Sequence, residues 1–435
     1  MAKQVAGFPY FELVFDEGGK PGKRTEDVVA GVAGATDLLI FSHGWNNSPS
    51  DARDLYGRFY GSLRDLFSSQ SGPADGRSIA VAGVIWPSMR WADEQPWIPE
   101  EDAGGAAGLG PSPAQPAVGD MVRGLRAVFK RPAQRKALDE MAGMLEGGLT
   151  GEAAPARFQA LMKKLVTAKG GSAPEDEGEL AGLLREPARQ VFERMATAVP
   201  TGEGAGGAAG LGDLFSTITE GAKMALRQLT YFEMKQRAGV VGQGGLGPLV
   251  GRIAAANPGL QIHLIGHSFG ARLVSFSLAG LPADCHAVKT LFLLQGAFSH
   301  FAFADSLPHD AARGGALAGM MARVDGPLVA THTVHDTAVG KLYPVASFTA
   351  GQDASAVGDD VGFRWGAIGH DGAQAVGAPD PPLGAVGTSY PFSTGAFTNL
   401  NGDDLMNRGG PPSGAHGDIV YPEIAWALAQ AAKLI

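Results

Sequence analysis

The chain holds a single cysteine, Cys285, among 435 residues. One thiol excludes an internal disulfide framework and any zinc site built on a cysteine cluster. Long apolar runs are missing too. No stretch reaches the roughly 18 uninterrupted apolar residues of a membrane-spanning helix. Met1 to Phe15 mixes Phe8, Tyr10, Phe11, Val14 and Phe15 with Lys3, Pro9 and Glu12, and lacks a basic start followed by an apolar export core. Positive charge is in deficit: 35 Lys and Arg against 44 Asp and Glu give a formal net charge of −9, which argues against nucleic acid as a partner. These absences predict a reduced, cytoplasmic protein.

Glycine (64) and proline (28) are abundant, above their usual combined share of roughly 12%. Many turns or long loops are implied. Hydrophobic residues at 45% and charged residues at 18% allow a sizeable core and exclude a wholly disordered chain. The length suits about three domains, or one large α/β domain carrying insertions.

Short apolar runs bounded by turn residues recur at Leu38–Phe41, Ile79–Trp86, Ile262–Ile265, Leu291–Leu294 and Leu328–Val334. Each is apolar on both alternating faces, as in parallel strands covered by helices. Helical spacing follows in Asp51–Phe67, with Ser50 as the expected cap, and in Phe269–Leu281 and Ile419–Leu434. Strand alternating with helix predicts an open α/β sheet. Between Asp93 and Gln243 the pattern changes. A Pro/Gly/Ala stretch, Asp102–Pro116, leads into helical patterns near Val118–Leu149, Pro155–Ala168, Glu175–Ala198 and Leu211–Arg237, with a Gly-rich joint at Gly202–Gly212. This reads as a folded helical insert, residues 93–243, interrupting a sheet domain made of residues 1–92 and 244–435.

The strongest local signal is Gly266-His267-Ser268-Phe269-Gly270, the G-x-S-x-G nucleophile elbow. In so glycine-rich a chain, chance alone yields about half a match, so context decides. A buried strand, Leu260–Ile265, enters the motif and a helix leaves it. That turn lifts a serine hydroxyl clear of the sheet in a strained conformation. Gly266 and Gly270 remove side chains that would collide, and the helix start offers the N–H of Phe269 to an oxyanion. A second signal, His43-Gly44-Trp45-Asn46-Asn47, follows the strand at Leu38–Ser42. A His-Gly pair there supplies a second oxyanion donor, the N–H of Trp45, with Gly44 allowing close approach.

A serine nucleophile needs a base, and the base an orienting carboxylate. In elbow enzymes the chain order is serine, acid, histidine. Asp336 follows the apolar run at Leu328–Val334, and His416 lies in a Gly-rich loop before the last helix. His370 competes as base and Asp305 as acid. These features resemble the α/β-hydrolase superfamily, and within it uncharacterised hydrolases that open with His-Gly-Trp-Asn-Asn. Val84-Ile85-Trp86-Pro87-Ser88 and Val334-His335-Asp336-Thr337-Ala338-Val339-Gly340 add to the resemblance. It implies the α/β-hydrolase fold, with a mostly parallel sheet and the insert as a cap over the serine. It also implies hydrolysis of carboxylic esters through an acyl-enzyme. No metal or organic cofactor is required, and the expected partner is a small or lipid-like ester.

Other signals carry less. Gly242-Gln243-Gly244-Gly245-Leu246-Gly247 matches the dinucleotide pattern G-x-G-x-x-G but lacks a full preceding strand. His332, His335 and Asp336 lack a third imidazole for a metal, and Asp403-Asp404 reads as a solvated turn rather than a calcium loop. A basic stretch with Arg123, Arg126, Lys130, Arg131, Arg135 and Lys136 reads as a solvated helix face. A membrane surface as its partner would favour a lipase or phospholipase. A hydrolase-fold binding module without activity is the non-enzymatic alternative. The sequence does not specify an oligomeric state.

Overall fold

Alternation of apolar residues on both faces builds one central sheet, seen in a computed structural model that describes residues 3–70, 72–74, 76–88, 117–165, 181–197, 211–342, 364, 366–410 and 413–435. Its strands are β1 (Lys3–Val5), β2 (Phe8–Val14), β3 (Asp37–Ser42), β4 (Ile79–Ile85), β5 (Gln261–His267), β6 (Val288–Leu294), β7 (Leu328–His332) and β8 (Phe397–Asn401). They lie side by side in the order β1-β2-β4-β3-β5-β6-β7-β8. Only β1 runs antiparallel to its neighbour. The protein is therefore α/β with a mostly parallel sheet.

The helices are α1 (Asp27–Gly31), α2 (Pro49–Ser69), α3 (Val118–Gly124), α4 (Pro132–Glu146), α5 (Ala154–Leu165), α6 (Ala181–Arg185), α7 (Ala188–Thr197), α8 (Leu211–Val241), α9 (Gly247–Ala256), α10 (Phe269–Ser277), α11 (Ile368–Asp371) and α12 (Pro422–Ala431). Proline opens α2, α4 and α12, where its missing N–H costs nothing. The cap of α2 is Ser48 rather than the expected Ser50. Ser48 is extended (φ −73°, ψ 165°). Its Oγ accepts from the Asp51 N–H at 3.2 Å, and its own N–H donates to the Asp51 carboxylate at 2.8 Å. With Pro49 as the first helical residue, the cap must fall one position earlier.

The two faces of the sheet are covered differently. Leu39, Phe41, Val81 and Phe292 pack with α2 and α12. Leu38, Ile40, Leu264 and Leu291 belong to a second cluster that extends through α9 and α10 into α4, α5, α7 and α8. The insert thus shares its core with one face of the sheet. Among the described residues no strand interrupts 117–260. Residues 102–116 and 202–210, read as Pro/Gly-rich joints, lie outside the described residues.

The helical run does not break at the expected boundary of 243. α8 passes through a π-turn, Gly242–Leu246, directly into α9. The glycines of the G-x-G-x-x-G match serve packing here. A methyl on Gly242 would stand 2.1 Å from the Leu273 carbonyl oxygen, and one on Gly247 2.4 Å from that of Ser277.

From β3 the chain moves to β4 on one side, then returns through the insert to β5 on the other. The loops leaving β3 and β5 diverge, which opens a crevice at the carboxyl ends of adjacent parallel strands. Register pairs Ser42 with Gly266, so both strands end level with that crevice.

Candidate active site

Ser268 stands between β5 and α10 with φ 57° and ψ −123°. Such a conformation costs a non-glycine residue about 1–3 kcal/mol and needs support from its surroundings. Main-chain bonds provide it: the Ser268 N–H donates to the Leu294 oxygen at 3.0 Å, and the Ala297 N–H donates to the Ser268 oxygen at 3.2 Å. The flanking glycines are sterically required. A methyl on Gly270 would lie 2.0 Å from the Ser42 oxygen, and one on Gly266 2.4 Å from the Gly270 oxygen.

His416 reaches this serine from a short 3-10 turn, Gly414–Gly417. Its Nε2 lies 2.8 Å from Ser268 Oγ and its Nδ1 lies 2.7 Å from Asp336 Oδ2. An ionised carboxylate only accepts, so Nδ1 carries the proton and Nε2 accepts from the serine hydroxyl. Asp336 is fully buried, and its Oδ1 accepts from the Val339 N–H at 3.1 Å. The strand before it ends at His332, two residues short of the apolar run, and Thr333–His335 turn the chain. Asp403 secures that turn by accepting from the Val334 N–H at 2.9 Å. Burial would raise the Asp403 carboxyl, but bonds from Val334, Thr333 and Asn401 leave it below its ordinary value.

Three anchors hold the His416 turn. His267 Nε2 meets the His416 carbonyl oxygen at 2.7 Å, and Gln295 Nε2 donates to the Ala415 oxygen at 2.9 Å. Asp418 accepts from the Arg408 N–H at 2.9 Å and from the Tyr421 hydroxyl at 2.7 Å. Burial, then the neighbouring His416, pushes the His267 imidazole down to about 3, so it is neutral at pH 7.

The loop after β3 closes the other side. A methyl on Gly44 would stand 2.6 Å from Ser268 Cβ and 3.1 Å from its Oγ. Trp45 follows, and Phe269 is the first residue of α10, one of the positions whose N–H has no acceptor within a helix. Asn46 takes a left-handed φ of 60°, and Asn47 Nδ2 donates to the Trp45 oxygen at 2.8 Å. His43 is buried, and burial lowers its imidazole to about 4.

The remaining candidates sit elsewhere. His370 lies on α11, with its Nε2 3.9 Å from Asp371 Oδ1. Asp305 is exposed. Among the described residues, no hydrogen bond joins either to Ser268 or His416. His332 Nε2 meets Asp380 Oδ1 at 2.8 Å. His335 uses its carbonyl to accept from the Ala415 N–H at 3.0 Å.

No protein-family model, curated protein or solved structure matches the chain.

Two contributors escaped the sequence reading. Tyr231 of α8 brings its ring 4.8 Å from Phe269 and 5.7 Å from Trp45. Nothing in helical spacing distinguishes it from any other half-buried aromatic. Gln295 had a signal, a polar residue immediately after the run Leu291–Leu294, at the end of the sheet where the site forms.

Proposed function

We propose that the protein is a serine hydrolase of the α/β-hydrolase fold that cleaves carboxylic esters through an acyl-enzyme. The observation that carries the reading is the unbroken relay from Ser268 Oγ through His416 to Asp336, at 2.8 and 2.7 Å, on a serine held at φ 57°. Hydrogen-bonded nucleophile, base and orienting acid in that order meet the geometric requirement for activating a hydroxyl.

The chemistry follows from the atoms. Ser268 Oγ attacks the ester carbonyl carbon as its proton passes to His416 Nε2. The oxyanion is received by the N–H groups of Phe269 and Trp45, each worth about 3 kcal/mol. Collapse expels the alcohol, which takes the proton from Nε2. Water then attacks the acyl-enzyme, giving its proton to Nε2; the bond to Ser268 Oγ breaks, Oγ takes that proton back, and the acid departs. Asp336 keeps the imidazole in the productive tautomer and balances its charge when protonated.

The insert acts as a cap in this reading. Its α8 packs the half-buried Tyr231 against Trp45, with the buried Phe269 behind both, which favours an apolar group on the ester. A membrane-engaging cap is less well supported. Arg123 is paired with Asp120 and Glu146, Arg126 with Asp139, and Lys130 with Glu17, so much of the basic stretch is already neutralised. Among the described residues no helix is long and apolar enough to cross a membrane.

The test is covalent labelling. A fluorophosphonate reporter modifies the intact protein, and Ser268→Ala abolishes the signal. Equal labelling of both proteins would sink the assignment.

A further inference from the structure

His43 is held on three sides. Its N–H donates to the Tyr56 hydroxyl at 3.0 Å, and its carbonyl accepts from Trp86 Nε1 at 3.0 Å. The ring stacks on the Trp86 indole at 5.7 Å between centroids and 17° between planes. Tyr56 in turn donates to the Val84 oxygen at 2.5 Å, which ties the assembly to β4. So firm a mounting serves no step of the relay described above.

What the ring does touch is the oxyanion loop. His43 Nδ1 lies 2.8 Å from the Gly44 carbonyl oxygen. A carbonyl only accepts, so Nδ1 carries the proton and Nε2 is a bare lone pair. Consistently, among the described residues Nε2 is buried without a hydrogen-bond partner, which suits a bare lone pair better than an orphaned N–H. Asn47 Nδ2 approaches the same oxygen at 3.4 Å. In a trans peptide, the C=O of Gly44 and the N–H of Trp45 point in opposite directions. Two donors holding that oxygen therefore turn the Trp45 N–H to the other side of the plane. The Gly44 Cα of this same peptide abuts Ser268. A flip would replace an N–H with a carbonyl oxygen, which repels a developing oxyanion.

We propose that His43 is a positioning residue: by donating from Nδ1 to the Gly44 oxygen, it locks the Gly44–Trp45 peptide with its N–H available to the oxyanion. The inference rests on Ser268 acting as the nucleophile.

The test combines three substitutions with one spectroscopic measurement. In Asn, the amide nitrogen sits as far along the side chain as Nδ1, and in Gln it sits one bond further. His43→Leu lowers kcat on p-nitrophenyl acetate by about 10²–10³-fold, the effect of losing one oxyanion donor, with KM changed only a few-fold. His43→Asn recovers to within about tenfold of the parent, as expected for one neutral hydrogen bond kept with imperfect geometry. His43→Gln does not recover. Equal kcat for the Leu and Asn proteins, or rescue by Gln alone, overturns the proposal. Where a variant does not fold, ¹⁵N-histidine NMR on the parent decides: His43 is expected as the Nδ1–H tautomer at pH 7, and an Nε2–H tautomer overturns the proposal. A parent protein that shows the Nδ1–H tautomer yet is inert to ester and fluorophosphonate overturns the hydrolase reading instead.

Discussion

Gly44 and Ser268 are in contact through the space a side chain would fill: a methyl on Gly44 would stand 2.6 Å from Ser268 Cβ. Backbone cannot yield on either side, since Ser268 is pinned by Leu294 and Ala297 and the Gly44 oxygen is held by His43. Gly44→Ala is therefore expected to displace the serine or the loop and to lower kcat/KM at least about 10²-fold, the scale of one lost oxyanion donor. Ester turnover with circular dichroism as a fold control checks it. A folded Ala variant with parental activity would contradict the close approach.

Asp336 has one role toward His416 and another toward Val339. Asp336→Asn preserves shape but offers the imidazole an N–H or a neutral oxygen, so the wrong tautomer becomes available. A loss of about 10⁴ in kcat is expected, with fluorophosphonate labelling slowed in parallel. His370→Ala and Asp305→Ala serve as the contrast. Either of those matching the Asp336 loss would mean the relay is misassigned.

Buried imidazoles give stability a pH dependence. Burial lowers His43 from 6.5 to about 4 and His267 from 6.5 to about 3, and lowers His263 against the pull of Asp37. The unfolded chain binds these protons below about pH 6.5, whereas the folded chain does not until far lower. Stability is thus complete above pH 6.5 and falls as pH drops toward the folded values. At pH 5 each of His43 and His267 accounts for about 2 kcal/mol of loss. Urea midpoints at pH 7.5 and 5 measure it. His43→Asn should flatten the difference, and an unchanged slope would argue that the ring is solvated.

Glycines in two helices should respond oppositely to alanine. At Gly242 the new methyl meets the Leu273 oxygen at 2.1 Å, so Gly242→Ala is expected to cost about 1–3 kcal/mol and to lower Tm. Gly61 in α2 has nothing within 4 Å of the same position, so Gly61→Ala should stabilise by about 0.5–1 kcal/mol. Thermal melts of the two variants decide.

The sheet centre was readable because β3 to β7 are buried on both faces and appear as continuous apolar runs. Its margins were not. β8 is Phe-Thr-Asn-Leu-Asn, and its Asn399 is buried because its side chain bonds to the main chain of Ala373, a tertiary fact invisible locally. β2 carries Pro9, which reads against a strand. Pairing with β4 begins only at Tyr10, so the proline does not interrupt it. Ser268, Asp336 and His416 could be nominated together because chain order and strand ends restrict where each must fall. Tyr231 could not, since its position depends on how α8 lies across α10.

The passage of α8 into α9 through the π-turn leaves no loop between the insert and the sheet domain. Gly242 and Gly247 bring that passage against the α10 backbone, where an added methyl would meet the Leu273 and Ser277 oxygens. On the proposed reading, a substrate that pressed on Tyr231 would bear on Phe269, the residue that follows Ser268.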